Sequence, residues 1–311
     1  MGRPWIPWPD RITEFAPVIG LHRLEMFYPT TIEAMITESC ELMVFLGVDA
    51  APGRPAFGRV QLFAQVPLLQ KIQLLISPRL NDRRNYIDRH GGEHDVRKSA
   101  QIQEELNAPK NVYARGFRNE DTGEAYIVYR FFYVENLSTR SDDESRIADQ
   151  LTTRPDKWWS HEGDWEGVSM HFINDPEATL PDEVVFSRHK RPNPKMWKNT
   201  TLERGRPLAL PALSTHATFN DPVSKKLKAA SFFDPFNDYF DIAEPHVLYY
   251  PESIAQPGER TYQITELDPN QTHLWLLYKG RWGDANSPFE QSPRGPLIQK
   301  RKHFTLLADR D

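Results

Sequence analysis

The chain has 311 residues, of which 39% are hydrophobic and 26% charged, so it can bury a sizeable core in one large domain or two smaller ones. Its net charge of -5 and pI near 6.1 leave no basic surplus for holding phosphate backbones. We therefore set aside a nucleic-acid partner.

Cysteine usage and hydropathy bear on the compartment. Cys40 is the only cysteine, so no intramolecular disulfide forms. The first eight residues contain two prolines and lack the apolar core of a secretory signal. No run of about 18 apolar residues occurs, as a transmembrane helix would require. We expect a cytoplasmic protein without a transmembrane segment; its oligomeric state stays open.

The chain's 26 prolines disfavour long helices and favour short strands joined by loops. Helical patterns are confined to residues 30–42 and to a charged stretch over 68–107. Runs rich in β-branched and aromatic residues predict strands. These runs cover 125–134, 165–173, 183–187, 207–214, 246–250, 262–267 and 273–278. Together they predict an all-β fold: one β-sandwich domain over residues 1–311, with Pro-rich loops and a helical insertion at 68–107, in the N-terminal third.

The segment from His161 to Glu166 places an imidazole and three carboxylates within six residues, at the start of a predicted strand. Side chains of a strand alternate between its faces, so Asp164 and Glu166 project to one side, and His161 joins them from the preceding loop. His161, Asp164 and Glu166 are thus candidate ligands of a divalent cation such as Mg²⁺, Ca²⁺, Mn²⁺ or Zn²⁺. The alternative is a surface strand with ordinary exposed charges.

Two further histidines follow predicted strands, His189 after the run ending at Ser187 and His216 after the run ending at Ser214. We expect both to meet His161 and Asp164 at one rim of the sandwich, and these four are the candidate catalytic residues. Four more residues are candidates for contacting a substrate. One is a carboxylate at a strand end and three are aromatic: Glu135, Trp165, Trp197 and Phe219.

These motifs resemble the vacuolar protein sorting-associated protein 62 family. The likeness runs from about Phe15 to Pro296 and rests on short segments: His161-Glu-Gly-Asp-Trp-Glu, Phe131-Phe-Tyr, Ser187-x-His, Ser214-Thr-His-Ala and Gly280-Arg-Trp-Gly. The chain departs from the family pattern after His189, where bulky residues replace a small, Gly-rich turn. The family resemblance implies a link to vacuolar trafficking.

A shorter resemblance is to the necrosis- and ethylene-inducing proteins, which carry a His-x-x-Asp-Trp-Glu segment on a β-sandwich. In those proteins the His, Asp and Glu bind a divalent metal needed for attack on plant membranes. For this chain the resemblance implies a metal at His161, Asp164 and Glu166. It does not imply toxicity, because no secretion signal is visible.

Three functions remain open. The first is an enzyme acting on a small, largely apolar, oxygenated molecule, as a cyclase or pericyclase-like enzyme of natural-product biosynthesis would. The second is a non-enzymatic protein that binds a lipid head group or glycan, and the third is a metal-dependent hydrolase. The alternative to all three is a purely structural cluster that holds strand ends together, with or without a metal. No glycine-rich phosphate loop, dinucleotide fingerprint or nucleophile elbow occurs, so we expect no nucleotide cofactor.

Overall fold

The computed structural model describes residues 5–36, 40–48, 55–61, 67–78, 80–81, 85–88, 103–104, 108–137, 143–153, 161–173, 177–188, 192–228, 238–268 and 273–283. The described part of the protein is mostly β, with few helices, as the sequence predicts. A single domain over residues 1–311 stays a prediction. No helix in the described ranges has the length and apolar character needed to span a lipid bilayer.

Seventeen strands are described. They are β1 Ile6–Pro7, β2 Val18–Leu21, β3 Glu41–Val48, β4 Pro55–Gln61, β5 Tyr86–Asp88, β6 Asn111–Asn119, β7 Glu124–Asn136, β8 His161–Phe172, β9 Glu183–Phe186, β10 Asn193–Met196, β11 Leu202–Glu203, β12 Arg206–Pro211, β13 Thr218–Phe219, β14 Val223–Lys228, β15 Asp238–Ala243, β16 Val247–Pro251 and β17 Arg260–Glu266. Twelve of them form a curled half-barrel sheet in the order β10-β9-β8-β7-β6-β17-β16-β2-β12-β11, with β1 beside β6 and β13 beside β12. The remaining strands form a β4-β3-β5 sheet and a β14-β15 hairpin.

Strands β7 and β8 lie within the large sheet. Every residue of β8, and all but the first of β7, is buried, so both faces of this strand pair are covered. The aromatic and β-branched run Tyr126–Val134 suits such a position because it has apolar side chains for both faces. The interpretation of β8 as a surface strand with exposed charges is therefore wrong.

The helical predictions hold only in part. Helix α1 spans Leu68–Leu75, but Tyr86–Asp88 of the predicted helical stretch forms β5 and pairs with β3. Residues 89–102 lie outside the described part. In the described part of the predicted helix 30–42, Ile32–Ala34 forms a 3₁₀ turn and Glu41 and Leu42 belong to β3, while residues 37–39 lie outside the described part. Helix α2, Glu144–Thr153, was not predicted.

The predicted strand 273–278 is instead a 3₁₀ helix, Leu274–Leu277. Its apolar run fits both states by pattern, and packing decides between them. Trp275 lies at the centre of an aromatic cluster in the core, where it stacks on Trp165 at 5.6 Å and meets Trp282 edge-on at 5.6 Å.

The C-terminal end of the described chain packs backbone against backbone on the start of β8. A Cβ at Gly163 would lie 1.7 Å from the carbonyl oxygen of Trp282, and one at Gly283 would lie 2.0 Å from that of Glu162. Gly163 also has a φ of +64°, in the left-handed region that favours glycine. The Gly163 and Gly283 positions of the two motifs are thus explained by one close contact.

Replacing Gly163 with alanine is expected to cost about 3 kcal/mol or more of unfolding free energy, because backbone strain and the clash with Trp282 add together. Gly205→Ala is the matched control: its φ is +74°, but nothing lies within 4 Å of the added Cβ. The control should lose only about 1–2 kcal/mol. Urea unfolding followed by tryptophan fluorescence measures both, and equal losses would contradict the backbone contact.

Candidate functional site

Strand β8 carries the two predicted carboxylates on one face, as its period of two requires. In the antiparallel register, Asp164 lies opposite Tyr133 of β7, and Glu166 lies opposite Phe131. Asp164 and Glu166 are only 6% and 4% exposed, respectively. Two carboxylates and the Tyr133 ring are therefore held together inside the protein, where each charge needs compensation.

His216 reaches this cluster from the tight turn that follows β12. Ser214 and His216 both adopt left-handed φ values, +63° and +55°, and the backbone N–H of His216 donates to Ala212 O. The turn delivers the imidazole flat against the Tyr133 ring, with centroids 3.7 Å apart and planes within 3°. Left-handed backbone is unfavourable for residues other than glycine, so the contacts of His216 must offset this cost.

Those contacts are two ion pairs. His216 Nδ1 is 3.4 Å from Asp164 Oδ2, and Nε2 is 3.7 Å from Oε1 of Glu25, whose side chain is 2% exposed. Burial disfavours the charged imidazole, but the carboxylates of Asp164 and Glu25 outweigh it and raise the pKa of His216 to about 9. Burial likewise opposes the charge on Asp164, yet His216 holds the pKa of that carboxyl below its usual value. At neutral pH, His216 is a buried cation between two anions.

Hydrogen bonds fix both carboxylates. Asp164 Oδ1 accepts the N–H of Trp165 at 2.8 Å, and Oδ2 accepts from Asn136 Nδ2 at 3.1 Å. The two oxygens of Glu25 accept backbone N–H groups of Phe27 and Ser214. These hydrogen bonds hold the two carboxylates in place, whereas neither ring nitrogen of His216 makes a hydrogen bond to a described residue and both are held by the ion pairs.

The Tyr133 hydroxyl is a further buried polar group of the cluster. It has no hydrogen-bond partner among the residues that the structure describes. Burial, followed by the charges of Glu25, Asp164 and Glu166, raises the pKa of Tyr133 well above its usual range. The phenol thus stays protonated.

The three predicted metal ligands do not converge. Within the described ranges, the His/Cys/Asp/Glu group whose ligand atoms all lie within 4.8 Å of one another is His22, Glu244 and His246, in another part of the fold. His161 opens β8 and does not lie in a preceding loop; its Nδ1 contacts Gly163 O at 2.9 Å.

The charge next to Asp164 is also already balanced. Protonated His216 lies where a cation would be needed, and both Asp164 oxygens accept protein hydrogen bonds. Asp164 is thus occupied by protein partners, and the metal role predicted for His161, Asp164 and Glu166 stays a prediction.

The other predicted site residues are dispersed. Glu135 is fully buried two residues beyond Tyr133 on β7, and Phe219 packs in a small apolar cluster with Leu210, beneath the guanidinium of Arg188 at 4.6 Å. Trp197 meets Phe15 edge-on at 5.9 Å. Phe15 in turn packs on Phe172, at the far end of β8 from Asp164. His189 lies outside the described residues.

Trp165 projects from the opposite face of β8 and supports a different feature, an aromatic cleft of about 230 Å³. The cleft is lined by Thr31, Glu33, Leu68, Leu69, Ile72, Tyr113, Thr265, His273 and Trp275. Trp165 lies behind this wall, stacked on Trp275 and 5.9 Å from the Tyr113 ring. Trp165, which was predicted to contact a substrate, therefore packs behind the residues that line the cleft.

Two cleft residues have a defined proton arrangement. Tyr113 Oη accepts the N–H of Ile32 at 2.9 Å, and burial raises the pKa of Tyr113 well above its usual range, so the phenol keeps a proton to donate. Asp268 N–H donates to His273 Nδ1 at 3.0 Å, and burial lowers the pKa of His273. A neutral His273 ring thus carries its proton on Nε2.

Sequence reasoning missed Glu25, Tyr113 and His273. Tyr133 was noted only as part of the Phe131-Phe-Tyr motif. No local pattern marks Glu25, which lies 191 positions from its ion-pair partner His216. Residues 273–278 were predicted as a strand. A strand would arrange His273 and Trp275 differently, so their place in the wall of the cleft was not predicted.

Comparisons with known proteins leave the family open. No family model matches the chain, and no curated protein matches it, so the resemblance to the vacuolar protein sorting-associated protein 62 family gains no support. One solved structure is a weak neighbour, necrosis and ethylene inducing protein 2 from the causal agent of cocoa's witches' broom disease. It shares 12% identity over 84% of this chain and 76% of that one, with a TM-score of 0.27. A likeness this weak shows neither a shared family nor a shared activity.

The His216 ion pairs predict a pH-dependent stability. The folded pKa of about 9 lies above the ordinary 6.5, so the stabilisation is complete below pH 6.5 and is lost as the pH rises through about 9. The loss should be on the order of 3 kcal/mol. Urea unfolding across this range should show the decline in wild type and not in His216→Gln. Lys198→Gln, which removes an exposed cation, should behave like wild type. A flat wild-type profile would refute a charged His216.

Proposed function

We propose that this chain binds a small, largely apolar molecule with a carbonyl or ether oxygen in the aromatic cleft, and that it acts on this molecule as a cyclase-type enzyme. The observation that carries the proposal is Tyr113, a protonated phenol set among aromatic rings at the cleft wall. Cyclisation of a reactive polyene or enone needs mainly a shaped apolar wall and a hydrogen-bond donor for the developing oxyanion.

The rim of the cleft supports an apolar ligand. Leu69 lines the cleft with 57% of its surface exposed, and nearby on the same helix Leu74 is 39% exposed. Exposed leucines beside a concave aromatic wall favour entry of an apolar molecule. The polar lining groups, among them Thr31 and Thr265, would orient its oxygen.

The cleft supports this function better than the buried cluster does. His216 has no exposed surface, and its charge is already balanced by Asp164 and Glu25, so a substrate would have to break that network to reach it. The catalytic roles predicted for His161, Asp164, His189 and His216 stay predictions. So do the sandwich packing, metal assistance, the hydrolase and lipid- or glycan-binding alternatives, and the cytoplasmic location.

Ligand binding should depend on Tyr113. A panel of terpenoid ketones, with matched hydrocarbons lacking the oxygen, can be titrated against tryptophan fluorescence. Tyr113→Phe should weaken ketone binding about tenfold, the value of one hydrogen bond, and leave hydrocarbon binding unchanged. Tyr250→Phe, which removes a hydroxyl bonded to Glu203 instead, is the matched control.

The same titration tests the buried cluster as an alternative site. Asp164→Asn should lower stability without changing ketone affinity. If Asp164→Asn abolishes binding in a folded protein while Tyr113→Phe has no effect, the site lies in the cluster and the cleft proposal fails. Mass spectrometry of each incubated ketone or polyene then detects cyclised product and separates an enzyme from a binding protein.

A further inference from the structure

Two histidines, His22 and His246, face each other across neighbouring strands, and neither lines the cleft. Strand β16 pairs antiparallel with β2 so that Val247 lies opposite Leu21. One residue further along, the same register places His246 opposite His22, and His246 N–H donates to Leu21 O at 3.0 Å. The two imidazole rings meet edge-on with centroids 4.6 Å apart.

A carboxylate completes the group. Glu244 lies two residues before His246, and its ligand oxygen lies within 4.8 Å of the ligand nitrogens of both histidines. His22 is buried, whereas Glu244 and His246 are exposed, so one anchored ligand lies beneath two accessible ones. Two imidazoles with one carboxylate form a donor set that suits zinc better than the oxygen-seeking Mg²⁺ or Ca²⁺.

The surroundings hold His22 in place. Leu24 N–H donates to His22 Nδ1 at 3.1 Å, and Glu144, the first residue of α2, places Oε1 3.4 Å from Nε2. Arg23 in turn binds the Glu144 carboxylate through two nitrogens. Because this carboxylate faces Nε2, it would lie beside a metal bound to that nitrogen and could donate a further oxygen ligand. Coordination through Nε2 would move the ring proton to Nδ1 and displace the Leu24 hydrogen bond.

From this juxtaposition we propose that His22, Glu244 and His246 bind a divalent transition metal, Zn²⁺ in particular. Three protein ligands leave a fourth tetrahedral position for water or another donor. The site joins the end of β2 to the start of β16, so the metal would clamp two strands of the large sheet. It is independent of the proposed cleft function.

The experiment uses the full chain, freed of metal with a chelator and titrated with ZnCl₂ against a chromophoric zinc indicator. Wild type should bind one Zn²⁺ per chain with micromolar or tighter affinity, and its thermal midpoint should rise on zinc addition. His246→Gln and Glu244→Gln alter exposed side chains, so both variants should stay folded. Each should weaken zinc binding, His246→Gln by about 100-fold.

Glu252→Gln, which alters an exposed glutamate in the loop after β16, is the matched control and should bind zinc like wild type. Circular dichroism checks that each variant is folded. The proposal is overturned if wild type takes up no zinc, or if the double variant His246→Gln/Glu244→Gln binds it as tightly as wild type. A pH-matched titration with MgCl₂ should show no competition, since magnesium prefers oxygen ligands.

Discussion

The arrangement around β7 and β8 depends on one buried cation held between two anions. Protonated His216 lies between Glu25 and Asp164 without exposed surface. Losing one partner of such a group leaves an uncompensated buried charge, which costs about 3–5 kcal/mol. This explains why the turn after β12 tolerates two left-handed residues, and why the Tyr133 ring lies flat against the imidazole. The N-terminal segment, β8 and the turn after β12 are fixed together by the same charges.

The alternation of β8 gives the protein two chemically different faces. Asp164 and Glu166 point into the charged cluster, while Trp165 between them points into the aromatic core behind the cleft. The two faces of β8 therefore separate the charged cluster from the aromatic core, although the two lie only one strand apart. Asp164 also accepts the backbone N–H of Trp165, so the charged side chain is fixed to the same strand that carries the indole.

Local pattern predicted the strands β7, β8, β9, β12, β16 and β17 and the shared face of Asp164 and Glu166, because period and composition are properties of the sequence itself. It failed where packing decides. The apolar run 274–277 became a 3₁₀ helix against Trp165, and the segment 41–48 became a strand by pairing with β4 and β5. The meeting of His216 with Asp164 was predicted from the strand ends, but Glu25, the other ion-pair partner of His216, was not, because it comes from a distant segment that no local motif marks.

The segment His161–Glu166 illustrates how a motif can be explained without the ligand it suggests. Gly163 is required where the Trp282 carbonyl approaches the backbone, and Asp164 is required to balance His216. Trp165 is required beneath the wall formed by Tyr113 and Trp275. Each of these three roles arises from packing or charge balance within this fold. The motif therefore marks the start of a strand whose residues each contact a different part of the protein. Those contacts are known only from the fold.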